Sequence, residues 1–349
     1  MPSSTLYPVS QPPLTSKRRG RLFRFGAALM VLTALAGYLV VQYLTAGTGA
    51  TGCTVVSAAD DDEEYEFTPE QAVNAATVTA VGTARGLPER AVTIALATAL
   101  QESALHNVRH GDRDSLGLFQ QRPSQGWGTP ARIMDPTYAA GKFYDHLVDV
   151  PGYTRLPLTV AAQRVQRSGF PEAYAKHEPD AALLAAALTG RSAATLTCAG
   201  RPGAARAGGP QAVRAALVRD FGRAVLRPDG AADASPVPRS ATSARSVRHA
   251  ETAGRAAVAG GSDGRTVTLP VAAGAGPDAV RSVRRRGWQL AHWAVANASA
   301  LHIERVVYAG REWRAGIAGN TVGRWQALEA AGTRGAERST GSVRIVTAQ

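Results

Sequence analysis

The chain has 349 residues and a formal net charge of +12, with 39 Lys and Arg against 27 Asp and Glu. That length has room for two modest domains and their linkers. The basic balance suits an anionic partner such as a cell-wall polymer or a membrane surface. A nucleic acid would answer to the same charge, but no aromatic and basic recognition motif accompanies it, so no nucleic-acid partner is expected.

Met1 to Ser16 is rich in Pro, Ser and Thr, offers little to bury, and reads as a disordered tail. Lys17, Arg18, Arg19, Arg21 and Arg24 complete this first segment, residues 1–24. The apolar run that follows, Phe25 to Ala46, is long enough to cross a bilayer as a helix. Positive charge on its N-terminal side keeps the tail cytoplasmic and exports the rest, so a single-pass cell-membrane protein is predicted. One alternative is a cleaved signal peptide, although no Ala-x-Ala site follows directly. Another is lipidation at Cys53, although Ala50-Thr51-Gly52-Cys53 lacks a leading Leu and lies apart from the apolar run. Residues 47–67 read as a linker, with the acidic run Asp60 to Glu64 solvated rather than metal-binding.

Residues 68–198 have the pattern of a helical domain. Thr68-Pro69-Glu70-Gln71 combines an N-cap, Pro at the first helical position and a capping-box Gln, predicting a helix to about Arg85 that Gly86 ends. Pro88 opens the next helix, whose apolar stripe of Val92, Leu96, Ala99 and Leu100 leads to Glu102-Ser103. An apolar wall disfavours an ionised carboxylate, and the partial negative charge of a helix C-terminus adds to the effect, so the Glu102 pKa should rise. A carboxylic acid that keeps its proton near neutral pH is able to protonate a glycosidic oxygen.

Gly111-Asp112-Arg113-Asp114-Ser115 lacks the spaced ligands and closing Glu of an EF-hand. It reads as a turn in which Asp112 or Asp114 bonds backbone amides; alternatively, either aspartate positions a water, which favours hydrolysis. Gly117-Leu118-Phe119-Gln120-Gln121 offers two amides to a sugar-binding cleft, and Trp127 is either a wall for a sugar ring or a cover for the core. Asp135-Pro136 caps a helix with Phe143, Tyr144 and Leu147 on one face. Thr159 to Ser168 looks helical, and Pro171 starts a further helix containing Tyr174. Gln163, Gln166 and Tyr174 either face the cleft or are ordinary polar exits from a bundle.

Glu102-Ser103 followed by Gly117-Leu118-Phe119-Gln120 resembles the lysozyme-like lytic transglycosylases, which cleave peptidoglycan. The resemblance covers roughly Thr68 to Gly190. It implies that Glu102 is the general acid and base and that Gln120 contacts the glycan; beside them, Ser103, Gln121, Trp127, Gln166 and Tyr174 are candidates for substrate binding. It implies peptidoglycan glycan strands as partner and no cofactor. The family's Ala-Tyr-Asn-Ala-Gly motif is replaced here by Ala161-Ala162-Gln163-Arg164-Val165-Gln166 and, further on, Ala173-Tyr174. The alternative is a non-catalytic lysozyme-like module that binds glycan and places the C-terminal domain at the wall. Metal transport is disfavoured, because one span cannot form a transport bundle.

Cys53 and Cys198 bracket the helical segment, and in an oxidising compartment they would pair rather than remain free thiols. Residues 199–264 shift to Ala, Gly, Arg, Pro and Ser and read as a linker, interrupted by one amphipathic helix carrying Val213, Leu217, Phe221 and Val225.

Residues 265–349 predict a small α/β domain: a strand at Thr266 to Leu269, a helix from Asp278 to Leu301, and strands at Ile303 to Tyr308 and Ser342 to Thr347. Gly310-Arg311-Glu312-Trp313 resembles a segment of a C-terminal domain of exported wall-associated proteins. Relatives of that domain end in an Asp-His-Val-His strand, where this chain has Val343-Arg344-Ile345-Val346. No metal site is therefore expected, and His292 and His302 read as surface or packing residues.

Overall fold

A computed structural model describes residues 52–59, 61–167, 171–199, 208–227, 264–271, 279–316, 323–328 and 341–348. The predicted span at residues 25–46, its basic flank and most of the linker lie outside the described residues. Among the described residues no helix is long and apolar enough to cross a membrane. The fold is mixed, with nine α-helices and two antiparallel sheets among the described residues.

The small sheet joins β1 (Cys53–Val56), β2 (Glu64–Phe67) and β3 (Leu196–Cys198) in the order β2-β1-β3. Its hairpin replaces the solvated linker predicted around Asp60 to Glu64. Asp61, Asp62, Glu63 and Glu64 stay exposed, while Cys53, Val55 and Phe67 turn inward and are buried. Cys53 and Cys198 face each other across the β1–β3 register and form a disulfide spanning 145 residues of sequence. Chain entropy assigns such a closure on the order of 3–5 kcal/mol.

The helices follow their caps. Thr68 and Gln71 exchange hydrogen bonds of 3.3 and 2.7 Å at the start of α1 (Pro69–Ala84), forming the expected capping box. Gly82 lies beneath Tyr144, and a Cβ there would come within 2.6 Å of its hydroxyl. The next helix, α2 (Glu89–Ser103), is buried without a break from Ala91 to Leu100 and forms the axis of the helical part. A short α3 (Pro130–Ile133) precedes α4 (Pro136–Val148), which Asp135 caps through the amides of Thr137 and Tyr138. Then come α5 (Leu158–Gln166), a 3₁₀ segment (Pro171–His177) and α6 (Glu178–Leu188).

The amphipathic helix of the linker is α7 (Gly209–Phe221), and it packs on α1 with Val213, Leu217 and Phe221 buried. The second sheet has the order β4-β8-β5-β6-β7, built from β4 (Thr266–Pro270), β5 (Ile303–Tyr308), β6 (Arg311–Arg314), β7 (Gln326–Ala327) and β8 (Ser342–Thr347). Between β4 and β5 run α8 (Ala279–Ala296) and the single turn α9 (Ala298–Leu301).

Helix α8 explains why the two parts read from the sequence share one hydrophobic core. From Gly287 to Ala296 every residue is buried, because the helix is sandwiched between α1 and α6 on one side and β5 and β8 on the other. Gly287 admits the Tyr308 ring, which a Cβ would meet at 1.9 Å. Gly190, with φ +75°, lets the turn after α6 approach the Arg285 carbonyl. His292 is a packing residue: its Nδ1 lies 2.7 Å from the Ala187 carbonyl, its ring sits by Trp288 and Trp325, and burial pushes its pKa down to about 4. His302 is buried as the left-handed cap of α9.

Candidate functional site around Glu102

Glu102 occupies the last turn of α2, where the buried run of the helix gives way to a part-exposed end. The helix stops because Ala104 and Leu105 both take left-handed backbone, with φ of 51° and 61°. Tyr174, buried in the 3₁₀ segment, donates its hydroxyl to Glu102 Oε1 at 2.7 Å. Gln166, from the last turn of α5, also hydrogen-bonds the carboxyl group and donates Nε2 to the Phe119 carbonyl at 2.7 Å. No salt bridge reaches Glu102 among the described residues. Burial therefore dominates and raises the Glu102 pKa, with the Tyr174 and Gln166 hydrogen bonds pulling the other way.

Ser103 ties this helix end to the turn that follows. Its hydroxyl lies 2.8 Å from the Leu118 carbonyl and 3.1 Å from the Ala99 carbonyl, donating between them. Leu118 and Phe119 are core residues, and Phe119 stacks on Phe143 at 4.7 Å. A backbone bridge between Leu116 and Gln121 closes this turn, with Gly117, Leu118 and Phe119 buried inside it. Gln120 is half-buried, holds left-handed backbone (φ 47°) and donates to the Gly117 carbonyl at 3.2 Å. Gly111 lies under its amide, since a Cβ there would meet Gln120 Oε1 at 1.7 Å.

Gln121, expected in the cleft, is instead 1% exposed and donates to the Ala139 carbonyl at 3.0 Å. Its bond to α4 turns it into the core, so its contribution is to anchor the turn on that helix. Asp114 likewise braces a loop, accepting from Arg122 Nε at 2.7 Å and from the Ser124 amide at 2.8 Å. The Arg122 contact leads the causes that hold its carboxyl well below the usual range. Asp112 is exposed.

A groove of about 660 Å³ adjoins the site and includes Gln125, Trp127, His146, Arg164, Gln166 and Arg167 in its lining. Glu102 does not line it; Gln166 belongs to both the groove and the Glu102 cluster. Trp127 packs on the core and against the His146 ring at 4.4 Å, and it also lines the groove. Sequence reasoning missed His146, Arg164 and Arg167, for which helical spacing on α4 and α5 was the available signal. Also unforeseen is His177, whose Nε2 lies 3.2 Å from Gln101 Oε1 beside the catalytic candidate.

The class that fold and site define is thus a mixed α and β protein with a part-buried carboxyl group, held by neutral donors, next to a polar groove. No family model matches the chain, and no curated protein matches it. Among the described residues no group of three or more His, Cys, Asp or Glu is placed to hold a metal ion.

Proposed function

We propose that this chain is a membrane-anchored, exported protein that cleaves glycosidic bonds in peptidoglycan glycan strands, with residues 68–198 acting as a lysozyme-like domain. The single observation that carries this reading is the environment of Glu102: part-buried, held by two neutral donors, raised in pKa and joined through Gln166 to a groove. Such an acid gives its proton to the bridging oxygen as the bond to the sugar breaks. The carboxylate left behind keeps the Tyr174 and Gln166 hydrogen bonds and then accepts a proton from water or from the sugar's own hydroxyl.

The test is release of muropeptides from purified wall by the whole chain and by its Glu102→Gln variant. Loss of release in the variant is expected, and equal release rejects catalysis by this residue. The sharing of one core between the helices and the second sheet through α8 favours a second reading, a non-catalytic glycan-binding module that holds the sheet at the wall. Retention on wall material with no release from either form selects it.

A further inference from the structure

The groove beside Glu102 carries more positive charge than glycosidic cleavage requires. Helix α5 ends along it, so that Gln166 reaches the Glu102 carboxyl while Arg164 and Arg167 line the hollow itself. Both arginines are exposed, and neither has an acidic partner among the described residues. Some exposed arginines elsewhere are engaged, Arg85 with Asp145, Arg191 and Arg285 with Glu89, Arg219 with Asp220, while others such as Arg109, Arg155 and Arg344 are not among the described residues, so the groove is set apart by two such arginines lining one hollow. Asp149 is the acidic residue of the lining, and Trp127 supplies its large flat apolar surface.

This arrangement has a chemical match. An indole covers the C–H face of a pyranose, and guanidinium forks pair with planar anions. Two arginines set against one aspartate leave room for a single added negative charge. Resting on the reading of Glu102 given above, we propose that the groove takes a singly charged anionic sugar unit of the glycan strand, recognised by Arg164 and Arg167 and stacked on Trp127. Gln166, shared between groove and acid, then sets the distance from the recognised unit to the linkage that Glu102 attacks.

Binding is measured on the full-length Glu102→Gln chain, which separates recognition from cleavage. The probes are a glycan oligosaccharide bearing free carboxylates, the same oligosaccharide with its carboxylates reduced to alcohols, and a phosphodiester-substituted oligosaccharide. We expect about tenfold tighter binding of an anionic probe than of the neutral one, weakening with added salt. Preference for the carboxylate or for the phosphodiester probe identifies the source of the charge, and either supports the proposal. Adding Arg164→Ala and Arg167→Ala together should erase the ratio, whereas the double Lys variant should keep part of it. Equal affinity for charged and neutral probes, or an unchanged ratio in the double Ala variant with an unchanged unfolding midpoint, overturns it. If Glu102→Gln still cleaves, the catalytic reading fails while the charge preference is scored independently.

Discussion

Glu102 and Asp220 both sit in the last turn of a helix and both turn away from solvent, yet their partners differ in kind. Asp220 is 2% exposed and receives Arg219 at 2.7 and 3.1 Å, the Trp293 indole N–H at 2.8 Å and the Thr77 hydroxyl at 3.4 Å. It locks α7 to α1 and α8 with a cation and two neutral donors. Among the described residues Glu102 receives a phenol and an amide and no cation. At a helix C-terminus, where the dipole opposes negative charge, a carboxylate with a cation beside it becomes a structural joint, and one with neutral donors alone stays ready to hold a proton.

The largest effects should separate these two roles. Glu102→Gln is expected to lower muropeptide release by about 10²–10⁴-fold, the usual contribution of a positioned general acid, with far-UV circular dichroism unchanged. Asp220→Asn, scored per folded molecule, should leave that release close to wild type. Loss of activity in a fully folded Asp220→Asn protein would break the comparison.

In urea the ranking should invert. Asp220→Ala removes the acceptor of a buried indole N–H and of a guanidinium, and should lower the unfolding free energy by about 3 kcal/mol. Glu102→Gln should go the other way at neutral pH. Because burial raises the folded-state pKa of Glu102, the native protein binds its proton more tightly than the unfolded chain does. That contribution is fully present below the unfolded-state value and is lost as pH rises through the folded-state value. Thermal unfolding of the two forms should therefore coincide at low pH, with the Gln variant the more stable above the window.

Parts of this contrast were legible in the residues alone. The stripe leading to Glu102 announced an acid against an apolar wall, and the last strand, Ser342–Thr347, has the bounds its alternation implies. The cysteine pairing followed from their compartment. Other parts were not legible, because they depend on partners distant in sequence. The role of Asp220 has no local signal, because its indole partner Trp293 lies 73 residues on. Helix α8 gave no sign that its C-terminal half is enclosed, since its largely exposed N-terminal half is rich in arginine. The β1–β2 hairpin was hidden by acidic residues that fill its connecting loop and the exposed face of β2, and Gln121 by its bond to the Ala139 carbonyl, 18 residues on.

The smallest effect sharpens the comparison most, because it removes a single hydroxyl. Tyr174→Phe keeps a ring that is fully buried and deletes the hydroxyl that binds Glu102 Oε1. That bond favours the ionised carboxyl group, so its loss lets burial act with less opposition and moves the Glu102 pKa further up. The acid form then persists to higher pH, and the alkaline limb of kcat/KM should shift upward even as the maximum falls by about tenfold from the lost positioning. A purely structural role for Tyr174 predicts the fall without the shift. A limb that stays in place while the maximum drops would mean that the phenol packs the cleft floor and does not tune the acid, leaving Gln166 as the group that does.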